Sequence, residues 1–288
     1  MFISHTHMDH FIGLDHLVRL MLGRPKRLHV YGPAPVLEQV LSRMASYSWN
    51  LVDGYGERLV LEVAQVREGS LERVVLDCGK RFEDPGVREV QPFGGCLCRD
   101  PFFVVHAVLL DHKIPCMAFC LEETRHIQIL KTRLQELGLR PGPWLKGLRE
   151  VILSGGEDER LVEVEPPHKG PLPLGWLRER VVQESAGQRI AYVVDAGYTE
   201  ANRRKIISLA RGADIFFIEA AFLQEDEGRA RAKSHLTAFQ AGCLASEAGV
   251  RRAVPIHFSP KYAPDAKRLI EEMNEGMRGA SWGHNGRV

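Results

Sequence analysis

Residues 5–10 read His-Thr-His-Met-Asp-His, which places three imidazoles and one carboxylate within six positions of the chain. On an extended segment His5, His7 and Asp9 point to one side, because successive side chains alternate between two faces. His10 adds a further donor where the chain turns into a predicted helix with a regularly spaced apolar face. Imidazole nitrogens and carboxylate oxygens suit zinc or a similar divalent ion. A chance cluster of exposed polar residues is the alternative, but the position between a strand and a helix favours a metal site.

Three further residues, each at the end of a predicted strand, are candidates for the same site. His112, Asp195 and His257 all follow an apolar β-type segment and precede a turn. Ligand sites of layered α/β folds gather at the carboxyl ends of strands. Each of these residues taken alone is more often an ordinary turn residue, and their shared placement is what favours one site.

The hydrophobic pattern predicts an α/β layered domain over residues 1–288, interrupted by a Gly/Pro-rich segment at about 138–175. That segment is too long for a simple connection, and we interpret it as an inserted arm that leaves the domain surface. The predicted strands are 28–31, 59–66, 72–78, 102–111, 115–122, 189–195, 214–219 and 252–257. The predicted helices include 127–137, 200–211, 235–248 and 264–277.

Composition excludes several classes of protein. The chain is 44% hydrophobic and 26% charged, as is usual for a globular protein. It has no apolar run of the ~20 residues that a membrane helix needs, and its first residues do not resemble a signal peptide. Without an export signal, the six cysteines are expected to be reduced thiols in the cytoplasm.

The net charge of +1 hides a local basic patch between Arg125 and Arg149. Such a patch can bind a polyanion even when the whole chain is nearly neutral. A solvated basic helix face is the alternative. If the patch binds substrate, the candidate residues within it are Lys131, Arg133, Arg140 and Lys146.

The segment 5–10 resembles the HxHxDH signature of the metallo-β-lactamase fold, a four-layer αβ/βα sandwich with a dinuclear metal site. Within that superfamily the chain is most similar to tRNase Z (ribonuclease Z), the endonuclease that removes the 3′ trailer of precursor tRNA. The segment Leu-Gly-Leu-Arg-Pro-Gly-Pro at 137–143 resembles the start of that family's tRNA-binding arm. The other similar stretches are Asp-His-Phe-Ile-Gly-Leu at 9–14, Asp-His-Lys-Ile-Pro at 111–115, Asp-Ala-Gly at 195–197 and Pro-Ile-His-Phe-Ser-Pro-Lys-Tyr at 255–262.

The resemblance implies a role for each candidate residue. Two divalent ions, most simply Zn²⁺, would activate a water for attack on the phosphodiester. Asp195 would bridge the ions, Asp9 would also orient the water or take its proton, His235 would protonate the leaving oxygen, and Glu219 would orient His235. The implied ligands of one ion are His5, His7 and His112, and those of the other are Asp9, His10 and His257. The implied substrate is precursor tRNA, and a homodimer is the assembly that the family allows.

The chain departs from the family pattern in two ways. The family's N-terminal strands, its early aspartate motif and its PxKxRN loop precede HxHxDH and have no counterpart here, so an N-terminally shortened sandwich with an exposed strand edge is expected. Glu219 lies in a HEAT-like motif without its histidine, and His235 in an HST-like motif without its serine. Two alternatives therefore stay open: another hydrolase of this fold that acts on small phosphodiesters, and a truncated, non-catalytic remnant.

Overall fold

The structure, a computed structural model, describes residues 1–56, 58–165 and 170–282 and divides the chain into two compact units. The strands are β1 (Arg27–Pro33), β2 (Val60–Arg67), β3 (Ser70–Asp77), β4 (Glu89–Pro92), β5 (Cys96–Arg99), β6 (Phe103–Asp111), β7 (Pro115–Glu123), β8 (His126–Ile129), β9 (Leu161–Val162), β10 (Leu172–Pro173), β11 (Val182–Ser185), β12 (Arg189–Val193), β13 (Ile215–Glu219) and β14 (Ala253–Ile256). The α-helices are α1 (Met8–Phe11), α2 (Gly13–Met21), α3 (Val36–Ala45), α4 (Lys131–Glu136), α5 (Trp144–Leu153), α6 (Leu174–Val181), α7 (Glu200–Ala210), α8 (Glu227–Lys233), α9 (Ala238–Glu247) and α10 (Ala266–Trp282).

The first unit comprises residues 1–97, 106–120 and the described chain from 190 onward. One of its sheets has the strand order β1-β2-β3-β4, with β1 and β2 parallel and the other pairs antiparallel. The helices α2 and α3 bury one face each in the core beside this sheet, as the i, i+4 spacing of Leu14 and Val18 and of Val40 and Met44 predicts.

The other sheet of the first unit has the order β14-β13-β12-β7-β6-β5. Its strands β12, β13 and β14 are parallel, and the helices α7, α8 and α9 lie between them in the chain. Parallel neighbours need such helical crossovers, which also bring the carboxyl ends of all three strands to one edge. The register pairs Val193 with Ile218 and Glu219 with Ile256, so the residues that follow β12 and β14 meet beside Glu219.

Helices α9 and α10 pack closely because a glycine of each lies against the other's backbone. A Cβ on Gly242 would lie 2.1 Å from the carbonyl oxygen of Met273, and one on Gly276 would lie 2.3 Å from that of Phe239. Since backbone cannot move aside as a flexible side chain can, even one methyl group there forces the helices apart.

We therefore expect Gly242→Ala to lower the free energy of unfolding by about 2 kcal/mol or more, the cost of overpacking a core. Gly279→Ala is the matched control on α10, where the nearest atom to the new Cβ is 3.9 Å away. That change should instead raise stability by up to about 1 kcal/mol, because alanine favours a helix more than glycine does. Urea unfolding measures both, and equal midpoints for the two variants would contradict this packing.

The second unit comprises residues 98–105 and 121–189, of which 166–169 lie outside the described residues. It has its own hydrophobic core, in which Trp144, Leu148 and Ile152 form the buried face of α5. The predicted arm at 138–175 therefore holds a helix and contributes to a core. The prediction that it is an insertion in a single domain stays a prediction.

One predicted element of this unit is wrong. The helix expected from 127 begins at Lys131, because residues 126–129 form β8 and pair with β11. Ile127 and Ile129 are buried while His126 and Gln128 are exposed, the period-two pattern of a strand. No described helix of either unit is both long and apolar enough to cross a bilayer.

Candidate metal centre

The candidate ligands come together in the first unit. Donor atoms of residues remote in the sequence lie within 4.8 Å of one another in three overlapping groups. The groups are His5, His7, His112 and Asp195; Asp195, Glu219, His235 and His257; and Asp9, His10 and His257. All seven residues that the sequence singled out as metal ligands are therefore in these groups, joined by Glu219 and His235.

Asp195 lies at the centre of this cluster. Its Oδ2 is 3.4 Å from Nε2 of His5 and 3.5 Å from Nε2 of both His10 and His112. Its Oδ1 is 3.0 Å from Nδ1 of His257. A carboxylate that faces four imidazoles with its two oxygens has the geometry expected of a ligand shared between two ions.

The segment before α1 is fixed by backbone hydrogen bonds on both sides. The amide of Ile3 donates to the carbonyl of Tyr31 at 2.8 Å, and the amide of Met117 donates to the carbonyl of Ser4 at 2.7 Å. The chain is extended at His7, the N-cap residue, and then enters α1. Contrary to the sequence interpretation, Asp9 lies in a helical turn rather than on the extended segment.

Asp9 is much more exposed to solvent than the neighbouring candidate ligand His10. Its Oδ2 lies 3.4 Å from Nε2 of His10, and its side chain is 71% exposed, against 13% for that of His10. Asp9 therefore faces the open side of the cluster, where a carboxylate remains accessible to water.

Backbone strain is concentrated at this site. Six described non-glycine residues have a positive φ, and four of them are ligand candidates or their neighbours: Lys113, Asp195, Ser234 and His257. Such conformations cost of order 1–3 kcal/mol each and persist where the surrounding structure enforces them, often at functional sites. They set the directions of the side chains at the strand ends.

The cluster is strongly coupled electrostatically. Burial lowers the pKa of His5 to about 4 and also lowers the pKa of His10. Burial opposes ionisation of Asp195, yet His257, His235 and His10 lower its pKa to about 2. Burial likewise disfavours the charged form of His257, but Asp195 and Glu219 raise its pKa to about 10. Neutral imidazoles around an ionised carboxylate are the protonation states that a divalent ion needs, and an ion would replace the proton on His257.

Among the described residues, six buried side-chain polar atoms make no hydrogen bond, and three of them lie in this cluster: Nε2 of His10, Oδ1 of Asp195 and Nδ1 of His257, the last two facing each other at 3.0 Å as an ion pair. Buried polar atoms are nearly always satisfied, and orphaned ones call for an explanation such as an ion. All three atoms face the same cluster, and nitrogen and oxygen donors of this kind suit zinc. The residues present therefore fit a metal centre.

A second set of contacts orients the imidazoles. The Nδ1–H of His112 donates to the carbonyl of Ser234 at 2.7 Å, which turns its Nε2 toward Asp195. The Nδ1 of His5 lies 3.2 Å from Oγ of Ser4 and 3.6 Å from Sγ of Cys116. Such partners fix the tautomer and direction of a ligand. Sequence analysis missed them: Ser4 could have been noticed as a neighbour of His5, whereas a backbone carbonyl such as that of Ser234 and a remote residue such as Cys116 give no local signal.

Glu219 and His235 form a direct pair. The Nδ1 of His235 is 2.8 Å from Oε2 of Glu219, whose other oxygen accepts the amide of Ala196 at 2.6 Å. Glu219 is fully buried at the end of β13 and His235 is mostly buried. Because Glu219 uses one ring nitrogen, Nε2 of His235 remains for a group outside the pair.

The basic candidates lie in the second unit, and all are exposed. Lys146 lines a cavity of about 560 Å³ together with Arg125 and Arg149. Lys131, Arg133 and Arg140 are not among the residues that line it.

Comparison with known proteins agrees with this geometry. Residues 156–258 match the family described as a beta-lactamase superfamily domain. A ribonuclease Z of Bacillus cereus (strain G9842) is 30% identical over 283 residues, which cover 95% of this chain and 75% of the relative. The chain belongs to the ribonuclease Z family. A ribonuclease Z of Deinococcus radiodurans is 29% identical over 260 residues, covering 90% of this chain and 75% of that one.

The fold has a counterpart among solved structures. The metallo-beta-lactamase fold protein YhfI from Bacillus subtilis superposes with a TM-score of 0.50 at 14% identity, covering 95% of this chain and 69% of that chain. The predicted α/β class and metallo-β-lactamase fold are therefore confirmed, as is the predicted likeness to ribonuclease Z. Membership of this family makes the chain a nuclease-type hydrolase, with a cluster of candidate metal ligands in its first unit.

Proposed function

We propose that the protein is a zinc-dependent endoribonuclease that removes the 3′ trailer of precursor tRNA. The observation that carries this proposal is the position of Asp195, with its oxygens 3.0–3.5 Å from four imidazoles. His5, His7 and His112 would hold one ion, and Asp9, His10 and His257 the other, with Asp195 shared. Two such ions supply an activated water and neutralise charge on the phosphate when they are bound.

The chain's own residues handle the protons. The water that attacks phosphorus loses one proton, which the exposed carboxylate of Asp9 can accept. The bond from phosphorus to the 3′ oxygen breaks, and His235 supplies a proton to that oxygen from Nε2. The buried carboxylate of Glu219 holds Nδ1 of His235 and thereby directs Nε2 outward.

The exposed basic residues of the second unit would bind the body of the tRNA. Lys and Arg side chains release counterions from phosphates, and structured RNA is recognised largely through shape and backbone. The candidates are Lys131, Arg133, Arg140 and Lys146, together with Arg125 and Arg149 at the cavity. We further propose a cytoplasmic homodimer; six cysteines that form no disulfide suit that compartment.

The substrate class is tested by a triple variant, Arg125→Gln, Lys146→Gln and Arg149→Gln. We expect kcat/KM for precursor tRNA to fall roughly 10- to 100-fold and to depend less steeply on salt, because three phosphate contacts are lost. Hydrolysis of bis(p-nitrophenyl) phosphate, which has no tRNA body to bind, should change far less. Substitution is preferable to deletion of 138–175, because that segment contributes Trp144 and Leu148 to a core.

A matched control removes the same charge elsewhere, by changing Arg204, Arg251 and Lys267 to Gln. These residues lie in the first unit and form exposed ion pairs at 2.8–3.3 Å, which contribute little. Equal losses for both triple variants would mean that net charge and not the patch matters. Hydrolysis of the small ester without any cleavage of precursor tRNA by the unaltered protein would favour a small-phosphodiester enzyme, and inactivity on both substrates would favour a remnant.

A further inference from the structure

A cavity of about 330 Å³ opens beside His235 in the first unit. Tyr198, Arg231 and His235 are among the residues that line it. Its volume is at the low end of ligand pockets, roughly 300–1,000 Å³, and suits a single nucleotide rather than a helix. Because Nδ1 of His235 is held by Glu219, the group that receives a proton from Nε2 would occupy this cavity.

Arg231 provides a cation at this cavity. Its side chain is 80% exposed, and its nearest carboxylate oxygen, on Glu227, is 4.0 Å away. The oxygens of Glu227 accept instead from the side-chain NH₂ groups of Gln224 and Gln240, at 3.2 and 3.3 Å. Within the part of the chain that the structure describes, the guanidinium therefore has no ion pair shorter than this 4.0 Å contact, and Lys233 on the same helix adds to the positive potential. A guanidinium in this state is well suited to bind a phosphate.

Tyr198 provides an aromatic ring at the same cavity, from a segment of the chain other than the helix that carries Arg231. It is 42% exposed and lies in the turn between Asp195 and α7. The turn is anchored on both sides of Tyr198, because the amide of Gly197 donates to the carbonyl of Asp111 at 3.0 Å and Thr199 caps α7. A half-exposed ring on a fixed turn is a platform on which a base can stack.

We infer that this cavity binds the nucleotide that leaves through its 3′ oxygen, with the base stacked on Tyr198 and the 5′ phosphate paired with Arg231. His235 would then protonate the 3′ oxygen of a nucleotide that is held by its base and by its 5′ phosphate. The inference rests on the proposed function for the direction of cleavage, but the binding of the nucleotide does not depend on catalysis.

The dinucleotides UpU and pUpU test Arg231 directly, because they differ only in the 5′ phosphate of the leaving nucleotide. We expect the unaltered protein to favour pUpU about tenfold in kcat/KM, the effect of one charge-assisted contact. Arg231→Gln should lose this preference. Arg229→Gln is the matched control, since Arg229 is exposed on the same helix and does not line the cavity; it should keep the preference.

Calorimetry gives a readout that is independent of turnover. Uridine 5′-monophosphate should bind about tenfold more tightly than uridine, and Arg231→Gln should remove that difference. Tyr198→Ala should weaken both ligands, whereas Tyr198→Phe should retain binding because it keeps the ring.

The outcomes separate this inference from the proposed function. If Arg231→Gln keeps the preference for pUpU, or if uridine and its 5′-monophosphate bind equally to the unaltered protein, the inference is overturned. If neither dinucleotide is cleaved but the monophosphate binds in a manner that depends on Arg231, the nucleotide site stands and the nuclease proposal fails.

Discussion

Asp195→Asn is expected to remove bound metal and to lower the hydrolysis of every phosphodiester by a factor on the order of 10³–10⁵. The carboxylate touches both halves of the ligand cluster, so an amide in its place loses the negative charge that balances the ions. Loss of several kcal/mol of charge stabilisation in the transition state corresponds to such a factor. Metal content per chain, measured by mass spectrometry, should fall together with turnover.

The matched control for this change is Asp214→Asn. Asp214 directly precedes β13, at the opposite end from the site, and forms an ion pair of 2.9 Å with exposed Arg251. Asp214→Asn changes the formal charge by the same amount. It should leave metal content and turnover unchanged, because an exposed ion pair contributes at most about 1 kcal/mol to stability. If Asp195→Asn retained its full metal content while folded, as judged by circular dichroism, the proposed shared ligand would be wrong.

The convergence of the candidate metal ligands could be predicted from the sequence, because the carboxyl ends of parallel strands lie at the same edge of a sheet. Asp195 and His257 follow β12 and β14, two of the three parallel strands of one sheet, and β13 lies between them and ends in Glu219. Helical crossovers bring all of these ends to one edge, so residues far apart in the sequence had to meet there.

The details of the ligand segment could not be predicted in the same way. Period-two alternation placed His5, His7 and Asp9 on one side, but the helix begins at Met8 and changes the direction of Asp9. Where a helix begins depends on tertiary contacts, which override local patterns. The left-handed backbone of Asp195 and His257 could not be predicted either, because Asp and His adopt a positive φ more often than most residues but far less often than glycine.

The wrongly predicted helix start in the second unit shows another limit of prediction from a single sequence. The segment at 126–129 has a strand pattern only four residues long, and its partner β11 lies more than fifty positions later in the chain. A short apolar stretch next to a helix is easily taken as the first turn of that helix. Pairing with a distant strand decides its structure, and a single sequence does not reveal that partner.

His235→Ala is expected to lower the cleavage of RNA on the order of 10²–10⁴-fold while metal content stays unchanged. The effect should depend on the leaving group, because protonation matters most for a strongly basic 3′ oxygen. Bis(p-nitrophenyl) phosphate releases an anion that is already weakly basic and needs little help from an acid. We therefore expect a much smaller loss on that ester, and the ratio of the two losses is the quantity to measure.

His235→Ala also decides between the two roles that the geometry allows. The Nδ1 of His235 lies 2.8 Å from Glu219 but also 3.9 Å from Asp195, within the range of a ligand group. If His235 is the general acid, His235→Ala should leave the metal content unchanged, and added imidazole should restore part of the RNA cleavage. If His235 is instead a metal ligand, its substitution should lower the metal content and reduce the hydrolysis of both substrates equally, which would contradict the acid role. His16→Ala, an exposed histidine on α2 outside the cluster, is the control and should behave like the unaltered protein.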